Sequence, residues 1–131
     1  MIAVASSVVV AVFRDEPEAH GLLSRLVLFD RRVISAANWL EASMVCLGGA
    51  EDPDVPELFD GVVKALQLEI LPVTREQALL ARRAFLAFGK GPQHPASLNF
   101  GDCLAYALAK SLDAPLLFKG DDFVHTDVKV A

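Results

Sequence analysis

The chain is poor in the residues that soft-metal and redox chemistry require. Its 131 residues include two cysteines, three histidines, one tryptophan and one tyrosine. Cys46 and Cys103 form no CxxC pair and no spacing that suits zinc. Both fall in apolar helical stretches and read as small buried hydrophobes in a reducing cytosol. His20, His94 and His125 lack paired spacing, which argues against a ligand or base role; His125 is the one near acids. Basic charge is scarce too: 12 Lys and Arg against 17 Asp and Glu leave a net charge of −5. Arg14, Arg31, Arg32, Arg82, Arg83, Lys90 and Lys119 are scattered rather than massed. Broad attraction to nucleic acid is therefore disfavoured, although a cation bound among the acids would reverse the charge locally. No apolar run is long enough for a membrane. The uncharged opening, Met1 to Phe13, is too short to span one and lacks the positive start of a signal peptide. A cytoplasmic protein without a membrane partner is expected.

What is abundant is hydrophobic surface: 53% of residues, with a mean hydropathy of +0.40. The length suits a single domain over residues 1–131. So apolar a chain either has a dense core or keeps apolar surface for a partner, and we favour a permanent protein interface, a homodimer among the possibilities.

Short β-branched segments alternate with helical patterns. Ile2 to Val4 reads as a strand ending at Ser6-Ser7, a pair able to cap the helix Val8 to Phe13. Glu16-Pro17-Glu18 has the composition of a helix start, and Leu22, Leu23, Leu26 and Val27 form its expected buried stripe. Arg31 to Ile34 is a second strand, with Ser35 capping the next helix. Asp54 and Thr74 begin capping-box patterns; Val55, Leu58, Phe59, Val62 and Leu66 recur at helical intervals after the first. Glu69 to Val73 and Pro115 to Phe118 are the remaining strands, and Val128 to Val130 a possible edge strand. Gly89 to Pro95 is a loop before the helix that Asp102 opens. The alternation predicts an α/β three-layer sandwich, a central parallel sheet of four to five strands with helices on both faces.

Acids stand where such a sheet binds ligands, at strand ends and helix starts. Glu41 lies in an apolar helical run, where an inward-facing acid needs a partner. Asp102 follows an Asn99 cap, a place a carboxylate can occupy for the helix dipole alone. Asp121 and Asp122 follow Gly120 and could serve only the turn. Taken together, hard oxygens from three elements suit Mg²⁺, or Mn²⁺ as a substitute, which would activate water and steady a phosphodiester under in-line attack. The first strand should add one more acid, and there the chain reads Ala5-Ser6-Ser7.

Four ordered segments carry a resemblance to a known family: Met1-Ile2-Ala3-Val4 with Ser6-Ser7, Ile34-Ser35-Ala36-Ala37 through Glu41, Leu98-Asn99-Phe100-Gly101-Asp102-Cys103, and Leu116 through Phe123 with Thr126-Asp127. Over its whole length the chain resembles PIN-domain ribonucleases, specifically VapC-type toxins of type II toxin–antitoxin pairs. The resemblance implies a Mg²⁺-dependent endoribonuclease neutralised by a VapB-like antitoxin. It implies catalytic roles for Glu41 and Asp102, with Asp102 and Glu41 on the metal, and a fourth acid at Asp122 or Asp121, Asp122 preferred. Ala5 holds the place of the family's first aspartate, so the chain as it stands is expected to be inactivated there. Ser7 and Lys119 are minor candidates for substrate contact, as is Lys90. RNA would be chosen by groove shape, since no platform of exposed aromatics is expected. Trp39 reads as core packing, with an interface role second. Two other classes compete. A non-catalytic module binding antitoxin or RNA would cleave nothing. A phosphoacceptor receiver domain would need acids after the first strand, where Ala5 stands.

Overall fold

Alternation at period two gives each strand one side chain for each face of the sheet. In the computed structural model, which describes residues 1–89 and 94–131, this alternation builds two cores. The strands are β1 (Ile2–Val4), β2 (Arg32–Ser35), β3 (Leu68–Leu71) and β4 (Leu116–Leu117), all parallel in the order β3-β2-β1-β4. Ala3 pairs with Val33 and Leu116, and these three face one core; Val4 pairs with Ile34 and Leu117, which face the other. Burial on both faces explains why the strands read as continuous apolar runs.

The second core is roofed by α1 (Ser6–Phe13), α2 (Ala19–Leu26), α3 (Ala36–Leu47) and α4 (Val55–Ala65). At its centre Phe59 is 1% exposed, its ring 5.9 Å from that of Phe13 and 6.4 Å from that of Trp39. Trp39 is thus a half-buried packing residue. The first core lies under α5 (Arg75–Phe88) and α6 (Phe100–Ser111). From Cys103 to Ala109 every residue of α6 is buried, and its alanines let α5 and the sheet close on it. The architecture is the expected α/β sandwich, a parallel sheet with helices on both faces.

Local signals worked where a side chain could complete the cap. Ser35 accepts from the Ala37 N–H and Thr74 from the Gln77 N–H, while Asn99 and Asp102 form a full capping box. Other expectations fail. Ser6 and Ser7 do not cap α1: Ala5 takes the N-cap place and the serines enter the helix. Glu16-Pro17-Glu18 forms a turn rather than a helix start, and Val27, just past α2, is 60% exposed instead of buried. Asp54 makes no side-chain cap, since its backbone is already helical at φ −86° and ψ −8°, and the Asp52 carboxylate accepts its N–H at 2.9 Å; on α4 it is Phe59 and Val63 that go inward, and Leu58 is 57% exposed. β3 runs from Leu68 to Leu71, earlier than Glu69 to Val73. At the far edge Val130 makes only an isolated bridge to Leu116, so the sheet has four strands among the described residues. The Gly89 to Pro95 loop falls mostly at residues 90–93, and Lys90 with it, outside the described residues.

Candidate acidic site at the sheet edge

The strand order reverses between β1 and β4, and in parallel α/β sheets the crevice beyond that reversal takes the ligand. Ala5 lies there, 4% exposed, its N–H donating to the Leu117 carbonyl at 3.0 Å. Its methyl offers no ligand atom. The following serines diverge. Ser6 Oγ donates to Glu41 Oε1 at 2.5 Å, and Ser7 Oγ accepts the Lys119 N–H at 3.0 Å. Ser7 therefore pins the exit of β4, just before Asp121 and Asp122.

Glu41 sits half-buried on α3. Besides Ser6 it accepts a long bond, 3.4 Å, from Asn38 Nδ2, which also donates to the Gly101 carbonyl at 2.9 Å. Asn38 is buried, and its Oδ1 has no partner. On α6 the Asp102 N–H reaches Asn99 Oδ1 at 2.9 Å while Asp102 Oδ2 accepts the Asn99 N–H at 3.1 Å. Burial pushes the Asp102 carboxyl above the usual carboxylate range; the Asn99 N–H pulls it back, and the charges of Asp122 and Glu41 push it up again. Asp122 is thus the member of the closing pair whose charge acts on Asp102. Both closing acids are exposed beyond Gly120, whose φ of +97° makes the turn.

The edge thus brings together Glu41, Asp102, Asp122 and the Ala5-Ser6 turn. Carboxylate oxygens gathered beside a serine hydroxyl are hard donors of the kind a divalent cation such as Mg²⁺ accepts. The set is short of a ligand: among the described residues no three acids, histidines or cysteines converge tightly enough to hold a metal ion. Other expectations move away from the site. Lys119 Nζ bonds Glu16 at 2.6 Å and lies 3.6 Å from Glu18, so its charge is already engaged. His20 and His125 are exposed, while His94 Nδ1 accepts the Ala96 N–H and its ring packs edge-on against Phe88.

Asn38, Gly101 and Ser6 are what the sequence reading missed. Asn38 lies three residues before Glu41, hence on the same helical face, and that spacing was a usable signal. The absence of exposed aromatics is also overturned. Phe100 is 81% and Phe85 52% exposed, and with Arg82, Cys103 and Leu104 they line a groove of about 360 Å³. On the other side of Phe100 a groove of about 530 Å³ runs past Leu40, Met44 and Leu104 to Glu41.

A family model described as PIN domain matches residues 2–129. Among characterised relatives, Ribonuclease VapC28 of Mycobacterium tuberculosis is 44% identical over 126 residues, 96% of this chain and 94% of the relative. Ribonuclease VapC30 of the same species is 39% identical over 94% and 92% of the two chains. The fold matches VapBC2 from Rickettsia felis, crystallised with a promoter DNA fragment, at a TM-score of 0.75, 15% identity and coverage of 100% and 98%. It also matches M. tuberculosis VapC20, a sarcin–ricin loop cleaving toxin, at a TM-score of 0.74 and 14% identity over 100% and 98%.

Proposed function

The chain belongs to the PIN-domain family, among its VapC ribonucleases, and from that premise we propose a toxin whose chemistry is Mg²⁺-dependent endonucleolytic cleavage of RNA, disabled here at Ala5. The observation that carries the reading is the gathering of acids at the reversal of the sheet, where the Glu41 carboxylate lies against the Gly101 backbone beside Asp102 and, after burial, the charges of Asp122 and Glu41 push the Asp102 carboxyl up. With an aspartate at position 5, Asp102, Glu41 and Asp122 would complete a site for Mg²⁺ or Mn²⁺, which would supply charge neutralisation at the phosphodiester and activation of water. Ser6 holds Glu41 in place for that task, and Ser7 fixes the β4 exit that delivers Asp122. We place all of this in one domain over residues 1–131.

The partner we propose is a VapB-like antitoxin that neutralises the toxin by setting a basic side chain against the surplus carboxylates and apolar side chains into the groove of Leu40, Met44 and Phe100. A homodimer would cover further exposed apolar surface. Among the described residues no helix is long and apolar enough to cross a membrane; a cytoplasmic location is part of the proposed reading.

The test is Ala5→Asp. Restored Mg²⁺-dependent cleavage of cellular RNA, abolished again by adding Asp102→Ala, supports the reading. A folded Ala5→Asp protein with no metal-dependent cleavage removes it and favours a second reading, a non-catalytic module that binds antitoxin or RNA. The missing ligand at position 5 is the observation behind that alternative.

A further inference from the structure

We propose that Asn38 is a positioning residue for the acidic site, acting with the bare backbone of Gly101 to set where Glu41 stands relative to Asp102. The inference rests on the metal-dependent reading above. Two helices carry these acids, and Asn38 is the buried side chain that joins them beside the site. Its amide N–H₂ donates to Gly101 O on α6 at 2.9 Å and to Glu41 Oε1 on its own helix at 3.4 Å. Both bonds need donors, so the amide cannot be turned the other way, and its carbonyl oxygen is left buried without a partner. An orphaned buried oxygen costs stability, and an apolar side chain of the same shape would remove that cost. For the fold, the bond to α6 is offset by the orphaned oxygen; the added contact to Glu41 is what gives an asparagine its use at the site.

Gly101 completes the cradle. A Cβ at this position would meet as its three nearest atoms Oε1, Oε2 and Cδ of Glu41, all inside contact distance. The carboxylate thus lies in the space a side chain would fill, directly beside the backbone that leads into Asp102. The glycine is inside a helix with ordinary φ, so conformational freedom does not account for it. Close approach of Glu41 does.

The experiment uses the full chain carrying Ala5→Asp, with Asn38→Leu or Gly101→Ala added. Mn²⁺ affinity is measured by titration calorimetry, stability by thermal unfolding in EDTA, and RNA cleavage against Mn²⁺ concentration. For Asn38→Leu we expect a melting temperature equal to or above the parent's and a Mn²⁺ dissociation constant about 10- to 100-fold higher, the range seen when groups that orient a metal ligand are lost. Cleavage should recover toward the parent rate at saturating Mn²⁺. Gly101→Ala should do the same with little change in stability, since alanine favours the helix while the Glu41 carboxylate must swing away from its Ser6 and Asn38 bonds. A melting temperature that falls while Mn²⁺ affinity stays put for Asn38→Leu, or an unchanged affinity in Gly101→Ala, overturns the proposal. If Asn38→Leu lowers both, Gly101→Ala decides. A parent Ala5→Asp protein that binds no Mn²⁺ overturns the metal reading itself, and the inference with it, which distinguishes the two failures.

Discussion

Helix α6 meets carboxylates in two places, and they are opposites. In its first turn Asp102 stands among acids, and Asp122 and Glu41 add to the burial that raises its pKa. Further along, Asp127 is gripped by donors: Tyr106 Oη at 2.5 Å and Lys110 Nζ at 3.2 Å. The Tyr106 hydroxyl first, then Lys110, hold the Asp127 carboxyl below the usual range, against the opposing effect of partial burial. One region spends its acids on tying the closing segment, residues 121–131, to the helix. The other keeps acids where they weaken the fold. Acids set against other acids at a ligand crevice are the mark of a site, and acids paired with a cation are the mark of a joint.

Ala5→Asp should widen this contrast most. A fourth carboxylate makes the metal-free edge more repulsive and the metal-bound edge far more stable. We expect Mn²⁺ affinity to rise by more than about 100-fold, because a direct ligand outweighs orienting groups whose loss costs about 10- to 100-fold. At Mn²⁺ a hundred times the dissociation constant, binding alone adds about 2.7 kcal/mol to stability. Thermal unfolding with and without Mn²⁺ reads this directly, and equal melting temperatures would show that position 5 does not face the metal.

At the joint, Asp127→Ala should cost about 1 kcal/mol, the loss of a bond from a nearly buried tyrosine discounted for the 60% exposure of the carboxylate. Urea unfolding measures it, and no change in the midpoint would mean the joint contributes only geometry.

How much of this contrast could be read from the chain depends on range. Caps at Ser35, Thr74 and Asn99 are local bargains between neighbours, and they appeared where the sequence put them. Asp121 and Asp122 fall beyond the last strand, as the apolar run before them led one to expect, because strand ends are legible. The spacing of Asn38 and Glu41 was readable, but the Asn38–Gly101 contact was not, because it joins residues 63 apart and depends on how α3 crosses α6. Val27 and Leu58 fooled a periodicity argument for a related reason. A helical stripe says which residues share a face, while tertiary packing decides how much of that face is covered. Phe100 shows the same limit, since nothing local marks a helix-opening aromatic as 81% exposed.

Asp102→Asn should have a smaller effect and the opposite sign from Asp127→Ala. In EDTA at neutral pH, removing a charge pushed against Asp122 and Glu41 should raise the melting temperature. The gain should stay under about 1 kcal/mol, the scale of interactions between partly solvated charges. Asparagine keeps an oxygen for the Asn99 N–H, so the capping box survives. A clear loss of stability would mean that Asp102 serves the helix more than the site.

The smallest effect is one of pH and belongs to Asp127. Its folded pKa lies below the ordinary value of 3.8, so the unfolded chain takes up the proton first as pH falls. The unfolded state then binds more protons than the native one, and stability drops with falling pH. The contribution is complete above pH 3.8 and is lost as pH falls through the lowered folded value. Unfolding in urea with EDTA, at steps from pH 7 to pH 2.5, should therefore show a constant gap between the parent and Asp127→Asn down to about pH 4. Below that the two curves should converge by less than about 1 kcal/mol, because the pair is largely solvated. Convergence beginning near pH 6 would instead assign the acid sensitivity to a group with a raised pKa, and the clean division between joint and site along α6 would fail.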